Sequence, residues 1–182
     1  LKAQAIGNIP GKDYIIAVGR LSPEKNFSSL IAAFASSGLG DQYDLLILGE
    51  GDERASLAEQ INKAGLQKSV KLMGFVGNPY PYLANAKCLI LSSLHEGFPV
   101  ILAEALACGC PVIATRCETG PEEIITDEKN GLLVPVNDTP ALSIAMQRLL
   151  NDETLYQSIK ENTKPSVQHL DIGEVAKKWL EL

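Results

Sequence analysis

Short, wholly apolar runs alternate along this chain with longer segments in which apolar residues recur every three to four positions. Runs that are apolar throughout are typical of strands buried on both faces, whereas the second pattern is typical of amphipathic helices. Strands are predicted at 13–18, 43–48, 70–73, 88–93, 111–115 and 131–134. Helices are predicted at 26–36, 52–64, 80–86, 99–108, 121–126, 139–151, 153–162 and 172–180.

This alternation of strand and helix predicts an α/β domain with a parallel sheet of about six strands, covered on both faces in a three-layer, Rossmann-like arrangement. Residues 165–171 break the helical pattern, so we predict one domain over 1–164 and a C-terminal helix within 165–182. In such sheets ligands bind beyond the carboxyl ends of the strands. The loops predicted at those ends are 19–26, 49–53, 74–78 and 94–99.

Residues 96–104, which begin and end with a glutamate, are the most informative segment for function. Pro99 suits the first turn of the following helix, and the free amides of that turn form an anion site. Glu96 and Glu104 can both reach one ligand there, because the Glu104 side chain leans toward the helix N-terminus. Carboxylates accept hydrogen bonds from paired hydroxyls, so we interpret the segment as a nucleotide-sugar site. The alternative is an ordinary loop acid and a solvated helix residue.

The loop after the first strand carries two cations, Arg20 and Lys25. Arginine offers a planar fork to phosphate oxygens and lysine a mobile point charge, so the pair suits a diphosphate. The same charges would stabilise a leaving group that becomes more negative during a reaction. The alternative is a solvated turn in which Glu24 pairs with Lys25.

Three further loops contribute weaker signals. Gly49 and Gly51 would let the backbone pass close to a ligand, although Gly-x-Gly alone is not specific. Phe75 and Val76 could flank a nucleobase, but core packing explains Phe75 equally well. Gly120 would form a sharp turn with free amides near a ligand.

Composition excludes several classes of protein. The chain has 182 residues, 46% of them hydrophobic, which is ordinary for one globular domain. A net charge of −6 and a pI of about 5.0 argue against a broad nucleic-acid surface. No apolar stretch has the length of a bilayer span, and no signal peptide is recognisable. Because the first residue is Leu rather than Met, we interpret the chain as part of a longer protein.

The cysteines and histidines do not suggest a metal site. Cys108-Gly109-Cys110 has no second cysteine pair or histidine cluster beside it, so we interpret these thiols, with Cys88 and Cys117, as buried or loop thiols in a reducing cytosol. The two histidines, at 95 and 169, are far apart in sequence. We therefore expect no metal ligation by this chain.

Taken in order, the motifs resemble those of the C-terminal, donor-binding half of group 1, family 4 glycosyltransferases over about residues 13–150. These enzymes have a GT-B architecture, in which two Rossmann-like domains face each other across a cleft. The motifs that carry the resemblance are Gly-Arg-Leu…Glu-Lys-Asn (19–26), Gly-Glu-Gly (49–51), Gly-Phe-Val (74–76), Glu-Gly-Phe-Pro…Glu-Ala (96–105), Gly-Cys-Pro-Val-Ile-Ala (109–114), Thr-Gly-Pro-Glu-Glu-Ile (119–124) and Asn-Gly-Leu-Leu-Val-Pro (130–135).

The resemblance implies roles for individual residues. Arg20 and Lys25 match the cations that bind the diphosphate, and Glu96 matches the glutamate near the transferred sugar; these three form the implied catalytic set. Glu104 matches the glutamate that holds the ribose hydroxyls. The remaining implied donor-binding residues are Gly19, Gly49, Gly51, Phe75, Val76, Gly97, Phe98, Pro99 and Val100. Glu50 and Asn26 depart from the commoner Asp and Gly of the family.

The resemblance also implies the reaction: transfer of a hexose or N-acetylhexosamine with retention, without metal or other cofactor. The Thr119-Gly120-Pro121 version resembles members that assemble bacterial O-antigen, capsule or lipopolysaccharide. We therefore expect UDP-Gal or UDP-GalNAc as donor and a glycan or undecaprenyl-diphosphate-linked acceptor, held by an N-terminal domain absent from this chain. The expected location is the cytoplasm, with peripheral association with the inner membrane through that domain.

Two other functions stay open at this point. One is a non-catalytic nucleotide-binding module, and the other is a different GT-B enzyme, such as a sugar-nucleotide epimerase or a phosphorylase. A phosphorylase would need a lysine that binds pyridoxal phosphate, and no motif for one is recognisable in the sequence. Nucleic acid is not expected among the partners.

Overall fold

One six-stranded parallel sheet forms the centre of the protein. The computed structural model describes residues 11–170. The strand order is β3-β2-β1-β4-β5-β6, and every neighbouring pair is parallel. The strands are β1 (Tyr14–Val18), β2 (Asp44–Leu48), β3 (Val70–Gly74), β4 (Cys88–Leu91), β5 (Val112–Thr115) and β6 (Leu132–Val134). The predicted Rossmann-like fold class is confirmed.

Seven helices cover the sheet. They are α1 (Phe27–Ser37), α2 (Arg54–Lys63), α3 (Tyr80–Asn85), α4 (Val100–Ala107), α5 (Pro121–Ile124), α6 (Thr139–Asn151) and α7 (Glu153–Val167) among residues 11–170. Short 3-10 turns lie at Pro23–Lys25, Leu39–Asp41 and Gln168–Leu170. No helix within this described range is long and apolar enough to cross a bilayer.

Successive strand residues point to opposite faces of the sheet, which creates two separate cores. In β1, Ile15 and Ala17 pack in the core beneath α1, α2 and α6, whereas Tyr14 and Ile16 pack in the core beneath α3 and α4. The inner strands β1, β2, β4 and β5 are therefore buried on both faces, whereas the edge strand β3 is mostly half-buried.

The sheet has its topological switch point between β1 and β4. The chain leaving β1 enters α1 on one face, and the chain leaving β4 enters α4 on the other face. Because the two connections diverge, a crevice opens between the loops at the carboxyl ends of these neighbouring strands. Ligands of open α/β sheets bind in this crevice.

The break predicted over 165–171 begins later than expected, because α7 continues through Pro165 to Val167 before the 3-10 turn at Gln168–Leu170. Proline removes one backbone hydrogen bond from the helix. Here the last turn is held by tertiary packing, since Val167 is buried in the core that includes α4. The helix predicted at 172–180 lies outside the described residues, and the packing of 165–182 against another domain stays a prediction.

The junction after β4 also differs in detail from the prediction. The strand ends at Leu91, so that Ser92 and Ser93 belong to the loop. Both serines are buried, and their hydroxyls donate to the Lys25 carbonyl and to the Glu96 carboxylate, respectively, instead of to solvent. Pro99 precedes α4 instead of lying in its first turn, and its carbonyl accepts from the Leu102 N–H at 2.9 Å.

The four cysteines are free thiols. Cys88, Cys110 and Cys117 are buried, and Cys108 is partly buried. Burial raises the pKa of Cys110 to about 12, so its thiol is protonated at neutral pH. These environments agree with the interpretation of the cysteines as packing residues.

Candidate functional site

Lys25 and Glu96 meet in the crevice between β1 and β4. Lys25 Nζ lies 2.6 Å from Glu96 Oε1, although the two residues are 71 positions apart in the sequence. Their side chains are 26% and 10% exposed, so the ion pair is partly shielded from solvent. The structure thus joins one predicted phosphate-binding cation to the first glutamate of the acidic motif.

Main-chain contacts hold the two loops in this position. The Ser92 hydroxyl donates to the Lys25 carbonyl at 2.8 Å, and the Leu94 N–H donates to the Glu24 carbonyl at 2.8 Å. The 3-10 turn at Pro23–Lys25 is therefore fastened to the start of the β4–α4 loop. The relative position of the lysine and the glutamate is set by backbone as well as by their own ion pair.

The Glu96 carboxylate is oriented through one oxygen. The Ser93 hydroxyl donates to Oε1 at 2.6 Å, which is the oxygen that Lys25 also contacts. Within residues 11–170, Oε2 has no hydrogen-bond partner and is available to a ligand. The main chain of Glu96 is held as well, because the Thr119 hydroxyl donates to its carbonyl. The pKa of the neighbouring Cys117 thiol is raised by burial and, to a lesser degree, by the Glu96 charge.

The backbone entering α4 offers amide groups beside this carboxylate. In the described part of the chain, the N–H groups of Gly97 and Phe98 have no hydrogen-bond partner. The Val100 N–H donates to the Phe98 carbonyl at 2.9 Å. The side chains of Phe98 and Val100 are both well exposed. Unpaired amides before a helix can bind an anion.

Glu104 lies in the second turn of α4 and is bonded to a residue that the sequence analysis did not select. The Tyr80 hydroxyl donates to Glu104 Oε1 at 2.8 Å. This hydrogen bond to the carboxylate raises the pKa of Tyr80. In the sequence, Tyr80 is recognisable only as a tyrosine at the start of the helix that follows the Gly-Phe-Val motif. Without knowledge of its contact with Glu104, this position does not indicate a functional role.

A cavity of about 330 Å³ lies beyond β1, β2 and β3. Its lining includes Gly19, Arg20, Gly49, Phe75 and Val76, so the structure brings five predicted donor-binding residues together. Phe75 is 82% exposed, which rules out core packing as the reason for this aromatic residue. An apolar wall beside a guanidinium suits a planar heterocycle attached to phosphate.

The structure gives three glycines a role in contacts between loops. A Cβ on Gly49 would lie within 3.0 Å of the Gly19 carbonyl oxygen, and one on Gly51 equally close to that of Leu21. A Cβ on Gly120 would likewise lie within 3.0 Å of the Gly97 carbonyl oxygen. These glycines let the loops pack on one another, which positions the site; direct contact of Gly49 and Gly51 with a ligand stays a prediction.

The described residues contain no group of three or more His, Cys, Asp or Glu side chains that could hold a metal ion. Binding of the donor without a metal ion stays a prediction, and it rests on the cations and amides described above.

A parallel sheet of this order, with charged side chains and unpaired amides at its switch point, is typical of nucleotide-binding α/β domains. Comparison with known proteins narrows this class. The family model described as "Glycosyl transferases group 1" matches residues 2–165. The chain belongs to this family, as the resemblance in its motifs indicated.

A curated relative and two solved structures illustrate the similarity. The chain is 35% identical over 175 residues to the Campylobacter jejuni N-acetylgalactosamine-N,N'-diacetylbacillosaminyl-diphospho-undecaprenol 4-alpha-N-acetylgalactosaminyltransferase, covering 96% of this chain and 47% of the relative. Anabaena HepE in complex with UDP superposes with a TM-score of 0.85 and 25% identity, covering 94% of this chain and 49% of HepE. The C-terminal domain of LpcC, a glycosyl transferase group 1 family protein from Francisella tularensis, superposes with a TM-score of 0.79 and 29% identity, covering 88% and 86%.

The chain spans less than half the length of the Campylobacter relative. Its match to the isolated C-terminal domain of LpcC covers most of both chains. The chain therefore corresponds to a part of the Campylobacter relative and to the C-terminal domain of LpcC.

Proposed function

We propose that this chain is the donor-binding half of a retaining, metal-independent glycosyltransferase of bacterial surface-glycan biosynthesis. The donor is a UDP-sugar, UDP-Gal or UDP-GalNAc, and the transferred group is a hexose or N-acetylhexosamine. The acceptor is a lipid-linked or polysaccharide glycan held by an N-terminal domain, which associates peripherally with the cytoplasmic face of the inner membrane.

The contact between Lys25 and Glu96 at the switch point is the observation that carries this proposal. A cation suited to phosphate and a carboxylate suited to sugar hydroxyls meet there, on the two loops that border the crevice. A site for a plain nucleotide needs only the first of these groups. The combination of both suits a ligand in which a diphosphate is directly joined to a sugar.

The surrounding groups fit the other parts of such a ligand. Arg20 borders the apolar cavity and suits the diphosphate next to the base. Glu104 suits the ribose hydroxyls, because an ionised carboxylate accepts from two donors at once. The amides of Gly97 and Phe98 suit the remaining phosphate oxygens.

The proposed chemistry needs charge stabilisation on the leaving diphosphate. As the bond between sugar and phosphate breaks, negative charge grows on the phosphate oxygens, and fixed cations and amides stabilise this charge. Lys25 supplies such a charge by exchanging Glu96 for phosphate, which requires movement only of a lysine side chain. In this proposal, basic side chains and amides take the place of a divalent metal ion.

The names of two relatives support the proposed sugar and the proposed acceptor. The printed name of the Campylobacter relative gives an N-acetylgalactosaminyltransferase that acts on a diphospho-undecaprenol-linked sugar. A second relative, at 30% identity over 173 residues, is also named as an N-acetylgalactosaminyltransferase for an undecaprenol-linked substrate. These names support N-acetylgalactosamine as the transferred sugar and a lipid-linked glycan as the acceptor.

The proposal is tested by calorimetry with UDP, GDP and ADP in the presence of a chelator. We expect binding of UDP without metal, and loss of at least tenfold in affinity in Lys25→Met. Lys63→Met is the matched control, because Lys63 is an exposed lysine on α2 whose ion pair is confined to that helix. Binding that requires an added divalent ion, or an equal loss in both variants, would contradict the proposal.

Catalysis is tested with the intact protein. Radiolabelled UDP-GalNAc and UDP-Gal are incubated with undecaprenyl-diphosphate-linked glycans, and the anomeric configuration of the product is read by NMR. Transfer with retained configuration is expected. Absence of transfer with every donor and acceptor, despite tight UDP binding, would favour the non-catalytic module.

A further inference from the structure

We infer that Ser93 is a positioning residue for Glu96, holding its carboxylate so that Oε2 faces the sugar during transfer. This inference rests on the proposed function and assigns a task to a residue that none of the predicted site roles includes. Ser93 touches neither diphosphate nor base in this proposal and acts through Glu96.

Ser93 is built into the structure as a rigid donor. It is 1% exposed, and its hydroxyl lies 2.6 Å from Glu96 Oε1. Its own carbonyl accepts from the hydroxyl of Thr115, at the end of β5, at 2.5 Å. Because a neighbouring strand holds the backbone of Ser93, the hydroxyl has little freedom to leave the carboxylate.

The arrangement of donors explains why a second contact is needed. Lys25 and Ser93 both bond to Oε1, and Oε2 is left without a partner in the described range. In the proposed function Lys25 turns to the diphosphate when the donor binds. The carboxylate would then rotate about its side-chain bonds if Lys25 were its sole restraint. Ser93 keeps the same oxygen engaged, so that Oε2 remains directed to the ligand.

The consequence is a specific kinetic signature. Catalytic groups must be held in near-attack geometry, and a misplacement of about 1 Å can lower the rate about 100-fold. Removal of the Ser93 hydroxyl should therefore lower kcat about 10- to 100-fold, while the contacts that bind diphosphate and ribose stay intact. The KM for the donor should rise by only about three- to fivefold, which is the loss of the sugar contact and is smaller than the fall in kcat.

The experiment compares Ser93→Ala with Ser37→Ala in the intact protein. Ser37 is a matched control, because it is also a buried serine, at 6% exposure, whose hydroxyl donates to a carbonyl at 2.7 Å. It ends α1 just before β2 begins, and so lies at the opposite end of the strands from the site. Both variants should unfold at similar temperatures, and the fall in kcat should occur in Ser93→Ala alone. An unchanged kcat in Ser93→Ala, or equal losses in both variants, would overturn the inference.

A second readout works without turnover. The affinity for UDP-GalNAc divided by that for UDP reports the contact between Glu96 and the sugar. This ratio should fall at least threefold in Ser93→Ala, and Ser93→Ala should have no further effect in a Glu96→Gln background. A ratio that stays at the wild-type value, or an equal additional loss in the Glu96→Gln background, would show that Ser93 does not act through Glu96. Wild-type protein that binds neither compound would overturn the proposed function and this inference together.

Discussion

Replacing Gly120 by alanine should disturb both the stability and the site, because this glycine supports the acidic motif. Its φ is +91°, and an added Cβ would lie within 3.0 Å of the Gly97 carbonyl oxygen and of Pro99 Cδ. Backbone strain costs about 1–3 kcal/mol, and overpacking against fixed atoms about 1–3 kcal/mol. We therefore expect Gly120→Ala to lower the free energy of unfolding by roughly 2–6 kcal/mol, a large fraction of the 5–15 kcal/mol typical of a folded protein.

The matched control is Gly65→Ala. Gly65 also has a positive φ, +69°, but an added Cβ would meet nothing within 4 Å. This variant should lose only about 1–2 kcal/mol, the cost of the left-handed backbone. Urea unfolding of the two variants separates backbone strain from the collision between loops.

The same steric clash at position 120 should also weaken ligand binding. Gly120 follows Thr119, whose hydroxyl holds the Glu96 carbonyl, so displacement of this segment moves the acidic motif. In calorimetry at a temperature where both variants are folded, Gly120→Ala should bind UDP at least tenfold more weakly than Gly65→Ala. If Gly120→Ala unfolds as Gly65→Ala does and binds UDP normally, the argued support of the motif by this turn is refuted.

Three further predictions follow from the site and the core. Glu104→Gln should weaken binding of UDP and of UDP-sugars alike, by roughly 1.5–3 kcal/mol, whereas Glu96→Gln should impair transfer and leave UDP binding nearly unchanged. Calorimetry and transfer assays on both variants test this difference, and equal losses of UDP affinity would contradict it. Burial raises the pKa of Cys110 to about 12, so the stability contributed by its neutral thiol is complete below about pH 8.5 and is lost as the pH rises toward 12. At pH 9, iodoacetamide should therefore label Cys110 only as fast as the protein unfolds, and rapid labelling of the folded protein would contradict this prediction. Residues 1–182 alone should bind the donor but transfer sugar much more slowly than the intact protein does. Equal transfer rates for the two proteins would place the acceptor site within this chain.

Much of the fold could be predicted because each strand has its own signature. The run that became β2 (Asp44–Leu48) is apolar over four successive residues, and such a run is stable only when both of its faces are covered. Helix α6 begins and ends at the residues predicted from its apolar spacing. These signals act over short distances along the chain, so they are readable without knowledge of the tertiary structure.

The continuation of α7 through Pro165 shows the limit of local reasoning. Proline in the interior of a helix lowers helix stability, but this cost is similar in size to the free energy gained by burying one or two apolar side chains. Here Val167 is buried beyond the proline, and α7 packs against α4. Tertiary burial therefore overrides a local signal that the sequence states correctly.

The candidate site divides in the same way. The sequence by itself determined which residues are chemically suited to a sugar nucleotide: the cations Arg20 and Lys25, and the glutamates at positions 96 and 104. Only the tertiary structure decided that Lys25 meets Glu96, that Ser93 orients the carboxylate, and that Phe75 lies exposed beside a cavity. The reason is the strand order: β1 and β4 are neighbours in space although two strands intervene in sequence, and contacts across that boundary depend on how the whole sheet assembles.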